Sequence, residues 1–136
     1  MSLTAAGLGE EHRAMSDLTA RGSAIDELPD MWDGFMRMVR PGLGISAFGA
    51  NIMNLPPDYT TRSHDESRTG QEELYVRLAG AGWVVLDEGG ERLDLDADHL
   101  AAVGPATSRA LASGPEGLRV LIVGAAPGKG YEPVEY

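Results

Sequence analysis

Short apolar stretches alternate with segments rich in Gly, Pro and Asp along the chain from Phe35 onward. This alternation is typical of β-strands joined by turns. Parallel strands need crossover connections of about a dozen residues or more, and no long helical pattern separates the apolar stretches. The sequence therefore predicts an all-β domain of antiparallel strands at 35–40, 45–55, 72–79, 83–87, 92–95, 100–103, 108–111 and 118–123.

Turn-forming segments mark the ends of several predicted strands. Pro56 and Pro57 follow the second strand, and proline donates no hydrogen bond to a β-ladder. The DEGG segment at 87–90 supplies glycines for a tight hairpin, and GPEG at 114–117 indicates another reversal. About eight antiparallel strands fit a compact barrel or sandwich, and the jelly roll is the version with that number of strands.

The first part of the chain has a different texture. Residues 8–22 combine good helix formers with apolar side chains three and four positions apart, which predicts a short, exposed N-terminal helix. We therefore divide the chain into an N-terminal helix or arm at 1–33 and a β-barrel with a C-terminal tail at 34–136. The N-terminal third of the chain has more apolar side chains than one small barrel readily covers, which predicts that this arm packs on a second copy in a homodimer. The side chains are Leu28, Trp32, Phe35, Met36 and Met38.

Composition excludes several classes of partner. The 136 residues are enough for one domain, with 21 Asp and Glu against 11 Lys and Arg and a formal net charge of −10. No basic cluster interrupts this balance, so we expect no nucleic-acid partner. No apolar run approaches the roughly 20 residues of a membrane span, and no signal-peptide pattern is present, which predicts a cytoplasmic protein without a membrane partner. The chain has no cysteine, which leaves His, Asp and Glu as candidate metal ligands.

The segment HDESRTGQEELYVRLAG at 64–80 concentrates candidate functional side chains, with one histidine and four acidic residues in its first ten positions. Side chains alternate between the two faces of a strand. With Glu73 pointing into the barrel, Tyr75 and Arg77 share that face, whereas with Glu72 pointing inward the lining is apolar. A solvated acidic loop before an edge strand is a third interpretation, because most runs of charge lie at the surface.

The order of these features over residues 34–133 resembles a small single-domain cupin, an RmlC-like β-barrel of the jelly-roll type. Residues 71–82, QEELYVRLAGAG, look like the end of the first cupin motif, in which a histidine pair precedes a glutamate and a glycine follows at a fixed distance. Glu73 has the right spacing to Gly80, which favours Glu73 as the inward-pointing residue. The closing segment LRVLIVGAAPGKGYEP at 118–133 is similar to the final strand and tail of bacterial members.

The second cupin motif falls on residues 98–113 and is altered. Asp98 stands in the position of a glycine, Gly104 and Pro105 keep a turn, and Ser113 stands in the position of an asparagine. Arg109 occupies the position of the last histidine. The resemblance therefore implies a degenerate metal motif.

Cupins that bind a divalent metal usually do so with three histidines and one glutamate. The resemblance makes His64 the first histidine, puts Glu66 where the second is expected, and makes Glu73 the glutamate. These three residues would be the ligands of any bound Mn, Fe, Ni or Zn ion. Arg109 cannot ligate a metal and would repel one. We therefore expect no metal cofactor, and expect Arg109 to form a charge-assisted pair with Glu73 or Glu66 instead.

Other motifs are interpreted as structural. GAAPGKG at 124–130 lacks the spacing and the Ser or Thr of a phosphate-binding loop. The alternating aspartates at 94–98 lack the glycine and glutamate of a calcium loop. His12 and His99 have no ligand partner nearby in sequence, and Trp32 and Trp83 are typical of core or interface positions.

Together these features favour a small-molecule-binding cupin whose ligand is unknown. We expect the mouth of its cavity to be lined by His64, Glu66, Glu73, Tyr75 and Arg109, with Arg109 contacting a carboxylate or other anionic group. The alternative is a cupin enzyme: an isomerase, a cyclase or a metal-dependent oxygenase. In an enzyme, His64 with Glu66 or Glu73 would form the acid–base pair. The sequence does not decide whether a reaction is catalysed, because a fold alone does not supply one.

Overall fold

The computed structural model describes residues 15–87 and 90–133. Helix is scarce within these ranges: a 3₁₀ turn at Ile25–Glu27 and a five-residue helix α1 at Val39–Leu43. The N-terminal helix expected at 8–22 is not found in its described part, 15–22, since an isolated helix this short is marginal without tertiary packing. The remainder of that expected helix lies outside the described residues. No described helix has the length and apolar character needed to cross a bilayer.

Within the described ranges the structure has seven strands with antiparallel pairing, as the sequence pattern predicts, although the pattern predicts eight strands. They are β1 (Asp30–Met31), β2 (Met36–Met38), β3 (Gly49–Leu55), β4 (Glu72–Leu86), β5 (Arg92–Leu95), β6 (Ala101–Val103) and β7 (Arg109–Ala125). Their order in the sheet is β1-β2-β3-β7-β4-β5, and β6 also pairs with β4. The path has two ends, so the sheet is not the closed jelly-roll barrel expected from the sequence.

Two long strands replace four of the predicted short ones. β4 pairs with β7 from Glu72↔Ala125 to Leu86↔Arg109, with register shifts near Gly80 and Gly82. The GPEG segment is therefore not a reversal but an insertion within one continuous strand. Gly80 and Gly117 have φ of +69° and +79°, which glycine adopts without a steric penalty. These irregularities let each long strand bend, as bulges do.

The bends divide the sheet into two halves that face each other. In the first half, the C-terminal part of β7 lies between β3 and the N-terminal part of β4. In the second half, residues 109–113 of β7 pair with residues 82–86 of β4 and also bond to the segment 58–66 through isolated bridges. The main core lies between the halves and includes Leu55, Val84, Leu111, Leu118 and Val120.

A second apolar cluster covers part of the outer face of the first half. Leu28 and Val39 pack there on Ala50 and Ile52 of β3. Leu28 and Met36, which the sequence argument offers as apolar surface for a dimer, are 5% and 2% exposed within this single chain. The homodimer and the domain boundary at residues 33 and 34 stay predictions.

Candidate functional site

A cavity of about 620 Å³ opens between the two halves of the sheet. All five side chains predicted from the sequence line it: His64, Glu66, Glu73, Tyr75 and Arg109. Aromatic, methionine and aliphatic side chains form much of the remaining wall. An apolar cup with a few convergent polar groups is the usual form of a small-molecule site.

Side chains that lie opposite one another on neighbouring strands form the floor of the cavity. Tyr75 of β4 lies opposite Ile122 of β7, which lies opposite Asn51 of β3, and Met36 lies opposite Met53 in the neighbouring pair. Residues directly opposite one another project to the same face of a sheet. Glu73 and Tyr75 therefore point inward, as the spacing to Gly80 predicts, while Arg77 bonds to the Gly80 carbonyl oxygen at 2.7 Å and does not line the cavity.

A buried polar cluster closes the inner end of the cavity. Glu73 Oε1 accepts hydrogen bonds from Arg109 Nη1 at 2.8 Å and from Tyr75 Oη at 2.6 Å. Arg109 also donates Nε to the Thr107 carbonyl oxygen at 3.0 Å, and Nη2 to that of Gly104. The ion pair expected between Arg109 and Glu73 is therefore present. However, Arg109, Glu73 and Tyr75 lie at the inner end of the cavity and not at its mouth, where the sequence places them, because they are buried against one another.

Burial keeps the Tyr75 hydroxyl of this cluster protonated. Removal from water, followed by the neighbouring Glu73 carboxylate, raises the pKa of Tyr75 far above its ordinary value, so the phenol stays a neutral donor. The Arg109 side chain is 0% exposed, and its charge is compensated by Glu73. Its predicted contact with an anionic ligand stays a prediction, but this burial favours a more exposed cation for that role.

His64 and Glu66 lie nearer the solvent. His64 Nε2 is 3.1 Å from Glu66 Oε2, with the imidazole 50% exposed, and Glu66 Oε1 accepts the Thr69 hydroxyl at 2.9 Å. Their backbone is fixed because His64 exchanges two hydrogen bonds with Arg109, at 2.8 and 2.9 Å. The same pairing brings the rim of the cavity next to the buried cluster.

An aromatic rim is the main feature that the sequence analysis missed. Phe35 contacts Trp32 at 6.4 Å and Tyr59 at 5.7 Å between ring centroids. Trp32 and Tyr59 are 57% and 42% exposed, so both side chains are accessible from solvent at the cavity. Trp32 also has φ +57° in the turn between β1 and β2, an uncommon conformation for a bulky residue. The Asp-Gly dipeptide after Trp32 was the available signal for this hairpin.

Arg62 is a second missed residue. It lines the cavity and lies two positions before His64 on the segment that pairs with β7. Its side chain is exposed, and within residues 15–87 and 90–133 the guanidinium has neither an ion-pair nor a hydrogen-bond partner. It contrasts with Arg109, which is fully paired. Nothing in the sequence distinguished Arg62 from other loop arginines.

The donor set fits a transition-metal centre only in part. Ligand atoms of His64, Glu66 and Glu73 all lie within 4.8 Å of one another. However, His64 and Glu66 pair with each other, and Arg109 lies 2.8 Å from the Glu73 oxygen that it shares with Tyr75. A permanent cation thus lies against one of the three candidate ligands and would repel a metal ion. These residues do not fit a four-ligand metal centre.

A second His and Asp group lies on the surface, away from the cavity. His99 Nδ1 is 2.7 Å from Asp96 Oδ1, which corrects the expectation that His99 lacks a partner. The hydrogen bond from His99 lowers the pKa of Asp96, and Asp96 raises the pKa of His99. The pair joins the ends of the turn between β5 and β6, where Asp96 and His99 form an isolated bridge.

Comparison with solved structures identifies the class of fold. A cupin protein from Bacteroides fragilis matches with a TM-score of 0.64 at 20% identity, over 87% of this chain and 93% of that one. An RmlC-like cupin from Desulfovibrio desulfuricans matches with a TM-score of 0.61 at 16% identity, over 79% and 97%. A sugar phosphate isomerase of the cupin superfamily from Silicibacter pomeroyi matches with a TM-score of 0.53 at 22% identity, over 66% and 57%.

The protein has the fold of small cupins, as the sequence resemblance predicts. No model of a known protein family matches the chain, and no curated protein matches it. At these identities the structural likeness carries the fold alone.

Proposed function

We propose that the protein binds a small organic molecule in the cavity between its two half-sheets, without a bound metal. The observation that carries this proposal is the combination, in one cavity of about 620 Å³, of an aromatic rim, an apolar floor and inward polar side chains. A volume of this size holds a molecule comparable to a metabolite.

The internal pairing of the polar groups supports a binding role. Glu73, Tyr75 and Arg109 satisfy one another at the inner end, so an apolar group can lie against them without leaving a buried charge unpaired. Ligand contacts then fall to the aromatic rim and to His64, Glu66 and Arg62 near the opening.

Native mass spectrometry of the purified protein, combined with tryptophan fluorescence, tests the proposal. We expect a co-purified organic mass, and an emission change when ring-containing small molecules are added. The change should disappear in Trp32→Phe and persist in Trp83→Phe, since Trp83 is stacked under Arg92 at 4.2 Å outside the cavity lining. An empty protein whose emission responds to no compound would contradict the proposal.

Elemental analysis tests the metal-independent part separately. We expect far less than one Mn, Fe, Ni or Zn per chain, and unchanged thermal stability after chelation. A stoichiometric metal that is lost in His64→Gln would overturn this part of the proposal and restore His64, Glu66 and Glu73 as a ligand set.

An enzyme that moves a proton, such as an isomerase or cyclase, is the second candidate function. It is favoured by the His64–Glu66 pair at 3.1 Å on the cavity wall, because a carboxylate that fixes an imidazole is a common acid–base arrangement. The likeness to a sugar phosphate isomerase concerns the fold only. Solvent-deuterium incorporation into a bound ligand, lost in His64→Gln, would support catalysis, whereas unaltered recovery of the ligand supports binding alone.

Two expectations about the cellular setting accompany the proposal. We infer a homodimer, for which a second copy would cover apolar surface that this chain leaves open. A cytoplasmic location is the prediction from the sequence, and fractionation of the source cells tests it.

A further inference from the structure

We infer that the cavity takes a small monoanion carrying a planar ring, such as an aromatic carboxylate, with the anionic group on Arg62 and the ring on Trp32 and Tyr59. This inference rests on the proposed binding function and deepens it.

The charge pairing around the cavity singles out Arg62. Glu66 uses one oxygen for Thr69 and the other for His64. The negative charge of Glu73 is compensated by Arg109, which also bonds to two carbonyl oxygens. Among the charged side chains that line the cavity in the described parts of the chain, Arg62 alone lacks a protein partner.

An unpaired guanidinium matches a carboxylate. Its planar fork donates two parallel hydrogen bonds to the two carboxylate oxygens. The chain as a whole is acidic, with a net charge of −10, but salt screens such exposed charges beyond about 8–10 Å. The contact with Arg62 at the rim therefore decides which ligand charge is accepted.

The aromatic rim defines the remainder of the ligand. Trp32 and Tyr59 flank Phe35 and are each about half exposed to solvent. Tyr59 and Arg62 lie on the same segment, which Ser113 and Leu111 of β7 hold through backbone hydrogen bonds of 2.8 Å. Ring surface and positive charge are thus presented from one fixed piece of chain, as a flat anion requires.

Alternative ligand charges fit less well. An ammonium group would have to share the Glu66 carboxylate with Thr69 and His64, and the positive charge of Arg62 in the same cavity would repel it. A neutral ring would make the same aromatic contacts but would leave Arg62 without a partner. It is therefore expected to bind more weakly than the anion. A preference for anionic ligands over neutral and cationic ones is therefore the property that a general small-molecule cavity would not have.

Isothermal titration calorimetry with matched probe series tests the inference. The series are ring carboxylates (benzoate, phenylacetate, 1-naphthoate), the corresponding alcohols and the corresponding amines. We expect the carboxylates to bind most tightly and to weaken with added salt. Arg62→Gln should weaken carboxylate binding about tenfold, the loss of one charge-assisted contact. Arg92→Gln is the matched control, because Arg92 stacks on Trp83 outside the cavity lining.

Each outcome decides one of the two proposals. Alcohols or amines that bind as tightly as the carboxylates, or a carboxylate affinity that Arg62→Gln leaves unchanged, would overturn the anion inference while the binding function stands. Failure of all probes to bind wild-type protein, together with an empty native mass spectrum, would overturn both. Circular dichroism of the Arg62→Gln variant confirms that lost binding is not lost folding.

Discussion

At the scale of single residues, a buried arginine closes the inner end of the cavity. Arg109 is fully buried and bonds to Glu73 and to two carbonyl oxygens. A buried ion pair contributes little net stability, but the loss of one partner leaves the other charge buried and unpaired. Replacing Arg109 or Glu73 alone is therefore expected to destabilise the fold.

Arg109→Ala is expected to lower the free energy of unfolding by about 3–5 kcal/mol, because Glu73 would lose its counter-charge. Urea denaturation measures the loss. The double variant Arg109→Met with Glu73→Gln should recover a substantial part of it. Asp26→Asn, which removes the surface pair with Arg119, should cost at most about 1 kcal/mol. Equal losses in Arg109→Ala and Asp26→Asn would show that burial does not matter here.

Tyr75 gives a pH-dependent prediction. Burial, then the Glu73 carboxylate, raises its pKa in the folded protein, so the fold favours the neutral phenol. This stabilisation is fully present below the ordinary tyrosine pKa of about 10 and is lost as the pH rises further. Unfolding free energies measured from pH 8 to pH 11 should fall steeply above about pH 10 in wild-type protein. Tyr75→Phe should flatten this fall; an identical slope in both proteins would refute the assignment.

At the scale of elements, glycines in the long strands determine how the halves come together. Gly80 has φ +69°, and a Cβ there would overlap the Gly117 carbonyl oxygen. Gly82 is equally restricted by the Ala112 carbonyl oxygen. The glycine that the sequence resemblance identified by its spacing from Glu73 thus has a physical reason: β4 bends at this position against backbone that cannot move aside.

Gly80→Ala is expected to destabilise the protein by at least about 2 kcal/mol, since it adds a left-handed backbone penalty to the steric overlap. Thermal or urea unfolding measures the effect. Gly22→Ala is the matched control, because no atom lies within 4 Å of a Cβ added there and its φ is ordinary. A Gly80→Ala variant as stable as Gly22→Ala would mean that β4 does not need this bend.

The sequence pattern predicts those strands whose ends carry turn-forming residues. β5 was predicted at its observed bounds, and β6 to within one residue. GPEG was misassigned because a hairpin turn and a strand insertion use the same residues, and only pairing with β4 across more than 30 positions distinguishes them. Glu73 and Arg109 were found through motif spacing. Arg62 and Tyr59 were not, because their position depends on the pairing of a loop with β7.

At the scale of the whole molecule, one row of apolar residues crosses four strands on the outer face. Ala102 lies opposite Leu74, which lies opposite Val123, which lies opposite Ala50. The Ala50 end is covered by the chain's own cluster around Leu28 and Val39. At the other end, Leu74 is 37% exposed and the nearby Leu100 is 65% exposed. Open apolar surface is therefore present on β4 and β6 as well as on the arm, where Met15, Leu18 and Trp32 are exposed.

We expect the homodimer to form through the exposed end of this row, because the row is continuous across four paired strands. Sedimentation velocity of wild-type protein should give a species of about twice the 14.4 kDa chain mass. Leu74→Glu should shift it toward monomer, because a charge placed in an apolar interface loses its hydration. Leu18→Glu, at an equally exposed position of the arm, should leave the dimer intact. A wild-type monomer would refute the dimer, and dissociation by Leu18→Glu alone would return the interface to the arm.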